Sequence, residues 1–243
     1  MTDESAQIEV HETPEELATI VAGELLHRIA DLQAAGHVPT IGLTGGTIAD
    51  AIHREVARLA GASGVDWGAV DFFFGDERFV APDSPDRNVG QARAAFLDEL
   101  GVPDHRIFEI PSTAEATDVD AAAAAYAETV RAHGSGGFDI LMLGVGPDGH
   151  VASLFPGYPQ LDATDAIAVG VTDSPKPPPE RVSLTFEALA RARSVFFLVS
   201  GEGKADAVAR ALGGADVHET PAAGVKGTEE TIWFLDRAAA SRL

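Results

Sequence analysis

The sequence predicts an α/β protein: one domain, residues 1–243, built on an open, twisted, mostly parallel sheet with helices on both faces. Three observations predict it. Short apolar runs alternate with amphipathic stretches from end to end, the rhythm of repeated strand and helix units. Glycines and polar side chains recur just past the ends of several of these runs, where open α/β sheets place their ligands. The chain is also long enough, at 243 residues and 45% hydrophobic, to bury a substantial core.

The elements follow in order. Gln7 to Val10 reads as the first strand. Thr13-Pro14-Glu15-Glu16 has capping-box spacing with proline at the first helical position, opening a helix that runs toward Gly36. Pro39 to Leu43 is a strand and Thr47 to Leu59 a helix; the aromatic strand Val70 to Phe74 precedes a helix from Asn88 to Leu100. Strands at Ile107 to Ile110 and Phe138 to Val145 flank a helix from Asp118 to His133, whose alanines Ala121 to Ala125 form helix rather than linker. Strand Ala166 to Val171 leads into Ser174-Pro175-Lys176-Pro177-Pro178-Pro179-Glu180, a stiff surface loop. A helix at Phe186 to Arg191, a strand at Ser194 to Val199, a helix from Glu202 to Leu212 stopped by Gly213-Gly214, and a strand at Thr231 to Leu235 complete the series. No internal repeat is evident.

Composition narrows the partners. No run approaches the roughly 20 apolar residues that span a bilayer, and Met1 to Glu9 is acidic rather than a basic segment leading into an apolar one. A cytoplasmic protein is expected, without a membrane partner. Zero cysteines exclude disulfides, thiolate catalysis and cysteine-bound metal. A net charge of -21, from 17 Lys plus Arg against 38 Asp plus Glu, argues against nucleic acid. The same field repels a small anion, so a phosphate site must gather scarce cations locally. The only lysines are Lys176, Lys204 and Lys226.

The segment Leu141 to Pro156 carries the most chemistry: an apolar run breaks into Gly144-Val145-Gly146-Pro147-Asp148-Gly149-His150. Imidazole suits proton transfer near neutral pH. The glycine spacing also matches a dinucleotide fingerprint, but that motif needs a long helix starting inside the glycines. Pro147 and Pro156 leave room for only a short turn, so the glycines are read as shaping the backbone that presents Asp148 and His150. No nicotinamide or flavin is implied, and no cluster has metal-ligand spacing.

Three further segments end at the same predicted edge. Thr44-Gly45-Gly46-Thr47 outlines a phosphate cradle, with glycines exposing N–H groups before a helix N-terminus; it lacks the Gly-Lys-Ser/Thr ending of a Walker loop. Asp76-Glu77-Arg78 follows the aromatic strand, and Arg87 offers a further cation. Lys204 falls in the first turn of a helix, where it opposes the dipole and is better explained by an anionic ligand; Arg181 lies beyond the proline loop as a second cation.

Together these segments resemble the 6-phosphogluconolactonase family, within the glucosamine-6-phosphate isomerase/deaminase-like group. Thr44 to Thr47, Gly75 to Arg78, Gly144 to Pro156, Arg181 to Thr185 and Ser200 to Ala205 occur in the family's order and cover nearly the whole chain. Many members carry a proline soon after the first glycine loop, where this chain has Ile48-Ala49-Asp50. The resemblance implies hydrolysis of 6-phospho-D-glucono-1,5-lactone in the oxidative pentose phosphate pathway; a Rossmann-like sheet, no cofactor and a monomer or homodimer are the accompanying expectations. His150 would activate water, with Asp148 or Asp76 orienting the imidazole. Arg78 would face the developing oxyanion, and Asp76, Glu77 and Asp148 are the candidate catalytic acids, with the one that touches substrate left open. Thr44, Gly45, Gly46 and Thr47 would hold the phosphate, clamped by Arg181 and Lys204. A sugar-phosphate isomerase or deaminase is the alternative on the same scaffold, one that typically has an aromatic where Arg78 stands. A sugar-responsive regulator would need a helix-turn-helix segment, and the first strand already begins by Gln7.

Overall fold

The computed structural model describes residues 6–134 and 136–243. Six strands form a parallel sheet in the order β1-β9-β8-β5-β2-β3: β1 (Gln7–His11), β2 (Thr40–Leu43), β3 (Asp71–Phe74), β5 (Ile140–Gly144), β8 (Ser194–Val199) and β9 (Glu230–Asp236). Helices pack on both faces, as the alternation of aromatic residues along the strands dictates. On one face Phe72 of β3 meets Phe96 edge-on at 5.6 Å and Phe96 lies 4.8 Å from His53 of α2 (Thr47–Leu59). Arg28 of α1 (Pro14–Ala34) covers Phe196 of β8 on that same face. On the other, Phe73 stacks on Phe108 and Phe108 on His133 of α4 (Val119–His133). Tyr126 of α4, fully buried, pins the strand by donating to the Phe74 carbonyl and accepting from its N–H, both at 2.8 Å.

The helix starts obey local chemistry. Thr13 caps α1 through Glu16 N–H, and the Glu16 carboxylate returns to Glu12 N–H, one residue earlier than a capping box would place it. Asp118 caps α4 through Ala121 N–H. None of the described helices is long and apolar enough to cross a membrane.

Two features depart from the sequence reading. Ile107 to Ile110 is not a strand: Ile107 alone bridges Phe72, and Phe108 N–H reaches the Phe72 carbonyl. The following backbone is used otherwise, since the Ile110 carbonyl accepts from Arg87. Second, the strand at Ala166 to Val171 forms as β6 (Ala168–Val171) but belongs to a separate antiparallel sheet, β4-β7-β6. Its partners are β7 (Arg181–Leu184) and the charged tripeptide β4 (Asp76–Arg78). The link from β6 to β7 is a hairpin, too short for the crossover a parallel pair needs. Gly75 joins the two sheets, giving its N–H to Leu43 of the large sheet and its carbonyl to Leu184 of the small one.

Candidate active site

A cavity of about 650 Å³ opens at the carboxyl edge of the large sheet, between the ends of β2, β5 and β8 and the cavity-facing side of the small sheet. Thr44, Gly45, Gly46 and Thr47 all line it. Gly46 has φ +106°, a conformation that favours glycine, and it serves as the N-cap of α2 without any side-chain capping bond. The first turn of α2 therefore presents backbone donors and a positive dipole end to the cavity.

The Asp76-Glu77-Arg78 run is divided by strand alternation. Asp76 and Arg78 line the cavity. Glu77 points the other way, 1% exposed, and accepts from the N–H groups of Asn88 and Val89 at 2.7 and 3.0 Å, at the start of α3 (Asn88–Ala92). Burial pushes its carboxyl above the ordinary range, opposed by those backbone donors and by Arg87. Glu77 is thus a structural cap rather than a group that meets substrate, a correction to the sequence reading. Arg87 is likewise buried and donates to the Ile110 carbonyl, away from the cavity, because the loop before α3 turns it inward.

The cross-strand register places Arg78 directly opposite Arg181, on the same face of the small sheet. Like charges so placed are destabilising, and among the described residues neither guanidinium has a carboxylate within ion-pair distance, although ten other arginines do. Arg78 Nη1 donates to Asn88 Oδ1 and to the Asp86 carbonyl at 3.1 Å. Arg181 binds the carbonyls of Lys176, Pro177 and Pro178 and lies over the Phe155 ring. Burial, with Arg78 adding to it, lowers the Arg181 pKa against the opposing pull of Asp76.

His150 stands between these groups, its Nδ1 2.6 Å from Asp148 Oδ1 and its ring 4.6 Å from Phe155. Burial alone would raise the Asp148 carboxyl, but the hydrogen bond and charge of His150, its N–H and Lys176 outweigh that and hold it at about 2. An ionised carboxylate only accepts, so Nδ1 carries the proton, and in the neutral imidazole Nε2 is the acceptor. Gly146 makes the pair possible: a Cβ there would fall 2.0 Å from His150 Nδ1 and 2.3 Å from Asp148 Oδ1. Turns and isolated bridges follow this loop, not a helix. Asp76 does not orient the imidazole. Its Oδ2 accepts from Ser153 Oγ at 2.7 Å, and its carbonyl accepts from Asn88 Nδ2 at 2.9 Å.

Lys204 lines the cavity from the start of α5 (Ala205–Leu212), its Nζ 2.5 Å from the Val145 carbonyl. Burial and then the neighbouring Lys176 push its pKa down, against the pull of Asp148. Sequence reasoning missed Asn88, Ser153 and Lys176. Asn88 read as a helix start, Ser153 carried no signal of its own, and Lys176 sat in what read as a connecting loop. Among the described residues no group of three or more His, Asp or Glu side chains is arranged to hold a metal ion.

A family model described as glucosamine-6-phosphate isomerases/6-phosphogluconolactonase matches residues 12–233. The chain belongs to this family. It is 42% identical over 249 residues to a 6-phosphogluconolactonase of Streptomyces coelicolor, covering 99% of this chain and 95% of that one. It is 41% identical over 246 residues to the 6-phosphogluconolactonase of Mycobacterium tuberculosis, covering 98% and 99%. The crystal structure of 6-phosphogluconolactonase from Thermotoga maritima superposes with a TM-score of 0.84 at 25% identity, over 96% of this chain and 100% of that one. The family's mostly parallel α/β sheet is the one described above.

Proposed function

We propose that this chain hydrolyses 6-phospho-D-glucono-1,5-lactone to 6-phospho-D-gluconate. His150, 2.6 Å from Asp148 and lining a cavity whose arginines have no carboxylate partner among the described residues, carries the reading. A lactone is an activated ester, so water needs only a positioned base and no covalent enzyme intermediate is required. His150 Nε2 takes a proton from water as its oxygen bonds to C1, and ionised Asp148 stabilises the imidazolium that results. The carbonyl electrons move onto oxygen, where Arg78, held by Asn88, supplies the donor. Collapse breaks the bond from C1 to the ring oxygen, and the proton on His150 passes to that oxygen as it becomes the C5 hydroxyl. Asp76, fixed by Ser153, is an acceptor for a sugar hydroxyl.

The phosphate is remote from these events. It takes the N–H groups and hydroxyls of Thr44 to Thr47 at the start of α2, with Arg181 and Lys204 as cations. The isomerase or deaminase alternative is less well supported, because the curated relatives at 41 and 42% identity are 6-phosphogluconolactonases and an arginine at position 78 suits an ester oxyanion.

Freshly prepared phosphorylated lactone tests the proposal. Acid release should exceed the spontaneous rate, glucosamine 6-phosphate should yield no ammonia, and the unphosphorylated lactone should have a much lower kcat/KM. Ammonia release without lactone consumption would overturn it.

A further inference from the structure

The proline loop between β6 and β7 is built more firmly than a connector requires. Ser174 N–H donates to the Pro179 carbonyl at 3.0 Å, closing the loop on itself. The Lys176 carbonyl accepts from Ser174 Oγ at 2.9 Å and from Arg181 Nη2 at 3.1 Å, while Lys176 N–H donates to Ser174 Oγ. Prolines at 175, 177, 178 and 179 fix φ on either side. Every polar backbone atom of Lys176 is thereby held, and its side chain lines the cavity, half-buried.

The charge of Lys176 is answered only at a distance, through its pull on the Asp148 carboxylate. Lys176 takes part in none of the ion pairs among the described residues, in a chain with 38 acidic side chains. Asp148, the carboxylate that feels this charge, is engaged by His150 at 2.6 Å. Lys176 and Lys204 line the same cavity. The lining holds four cations, Arg78, Lys176, Arg181 and Lys204, against two carboxylates, Glu15 and Asp76, a balance of +2. A phosphate monoester carries close to two negative charges at neutral pH. Removing Lys176 would leave +1 against it.

We infer that Lys176 is a substrate-binding residue, contacting the phosphate together with Lys204 and Arg181, so that the proline loop forms a phosphate-selecting wall of the cavity. The inference rests on the proposed sugar-phosphate substrate. Arg181 then has two duties, fixing the loop through three carbonyls and sharing the ligand's charge. Because the Lys176 backbone is already ordered, its charged hydrogen bond is made at little conformational cost.

The test uses the full-length protein with Lys176→Ala and Lys176→Arg. Against the phosphorylated lactone, Lys176→Ala should raise KM about tenfold, as expected for loss of one charge-assisted hydrogen bond. The preference for phosphorylated over unphosphorylated lactone, measured as a ratio of kcat/KM, should fall by a similar factor, and Lys176→Arg should restore most of it. Equal losses on both lactones would make the residue a structural part of the loop and overturn the inference. Calorimetric titration with inorganic phosphate and with 6-phosphogluconate decides the point without turnover. Weaker binding by Lys176→Ala supports the inference, and unchanged binding overturns it. A wild-type protein that binds these anions yet leaves the lactone untouched would sink the lactonase reading alone.

Discussion

Replacing Gly45 by alanine should disable the Arg78 end of the site through one contact. Gly45 is not in a left-handed conformation, so the backbone accepts alanine; the obstacle is space. A Cβ there would lie 1.9 Å from Asn88 Oδ1, 2.7 Å from Asn88 Cγ and 3.2 Å from Arg78 Nη1. Asn88 is 3% exposed and must retreat by more than 1 Å, which breaks its acceptance from Arg78 and strains its bond to the Asp76 carbonyl. Losing a charged hydrogen bond of about 1.5–3 kcal/mol and a neutral one of about 1 kcal/mol gives a destabilisation of roughly 3 kcal/mol. For a chain of this size that lowers Tm by roughly 6–12 °C. The displaced Arg78 should lower kcat by about 10²- to 10³-fold. Unfolding by denaturant and lactone kinetics would be measured for Gly45→Ala, Asn88→Ala and the double variant. With Asn88 already truncated, alanine at 45 has little left to displace, so its stability cost should nearly vanish. Costs that add to within about 0.5 kcal/mol would refute the reasoning, as would a wild-type Tm for Gly45→Ala.

Three further outcomes are expected. His150→Ala should lower kcat by roughly 10²- to 10⁴-fold while 6-phosphogluconate still binds in calorimetry; a wild-type kcat would move the base to Asp76. Lys204→Ala should act mainly on KM, since the phosphate's charge does not change during reaction; a loss confined to kcat would contradict its assignment. His53 is fully buried against Phe96, and burial lowers its pKa to about 4 from 6.5. Below pH 6.5 the unfolded chain takes up a proton that the folded chain refuses, so stability falls as pH drops and has lost about 3 kcal/mol by pH 4. His53→Phe should flatten that limb of the stability profile, and an unchanged slope from pH 6.5 to 4 would assign the loss to other groups.

The parts of the site legible in the sequence are those that follow a long apolar run. Thr44 to Thr47 after β2, the Asp148–His150 loop after β5 and Lys204 after β8 sit where strand-then-glycine patterns put them. Asp76, Glu77 and Arg78 were visible as a charged run, but their division of labour was not. It depends on antiparallel pairing with Arg181–Leu184, a partner distant in sequence and only four residues long, with no periodicity to announce it. Asn88 and Lys176 escaped for a related reason: their roles come from the tertiary positions of Arg78 and Arg181. Ile107 to Ile110 misled in the opposite direction, having strand composition while its backbone is spent on Arg87 and a single bridge.

The pairing of β4 with β7 works like a reading frame. Odd and even positions along Asp76–Arg78 are decoded onto opposite sides of the small sheet, two letters for chemistry and one for the cap of α3. A point substitution alters one letter. A single inserted or deleted residue beside Gly75 would shift the frame, turning the Glu77 carboxylate into the cavity and forcing Asp76 and Arg78 beneath the helix. Length should therefore be the inflexible property of this stretch.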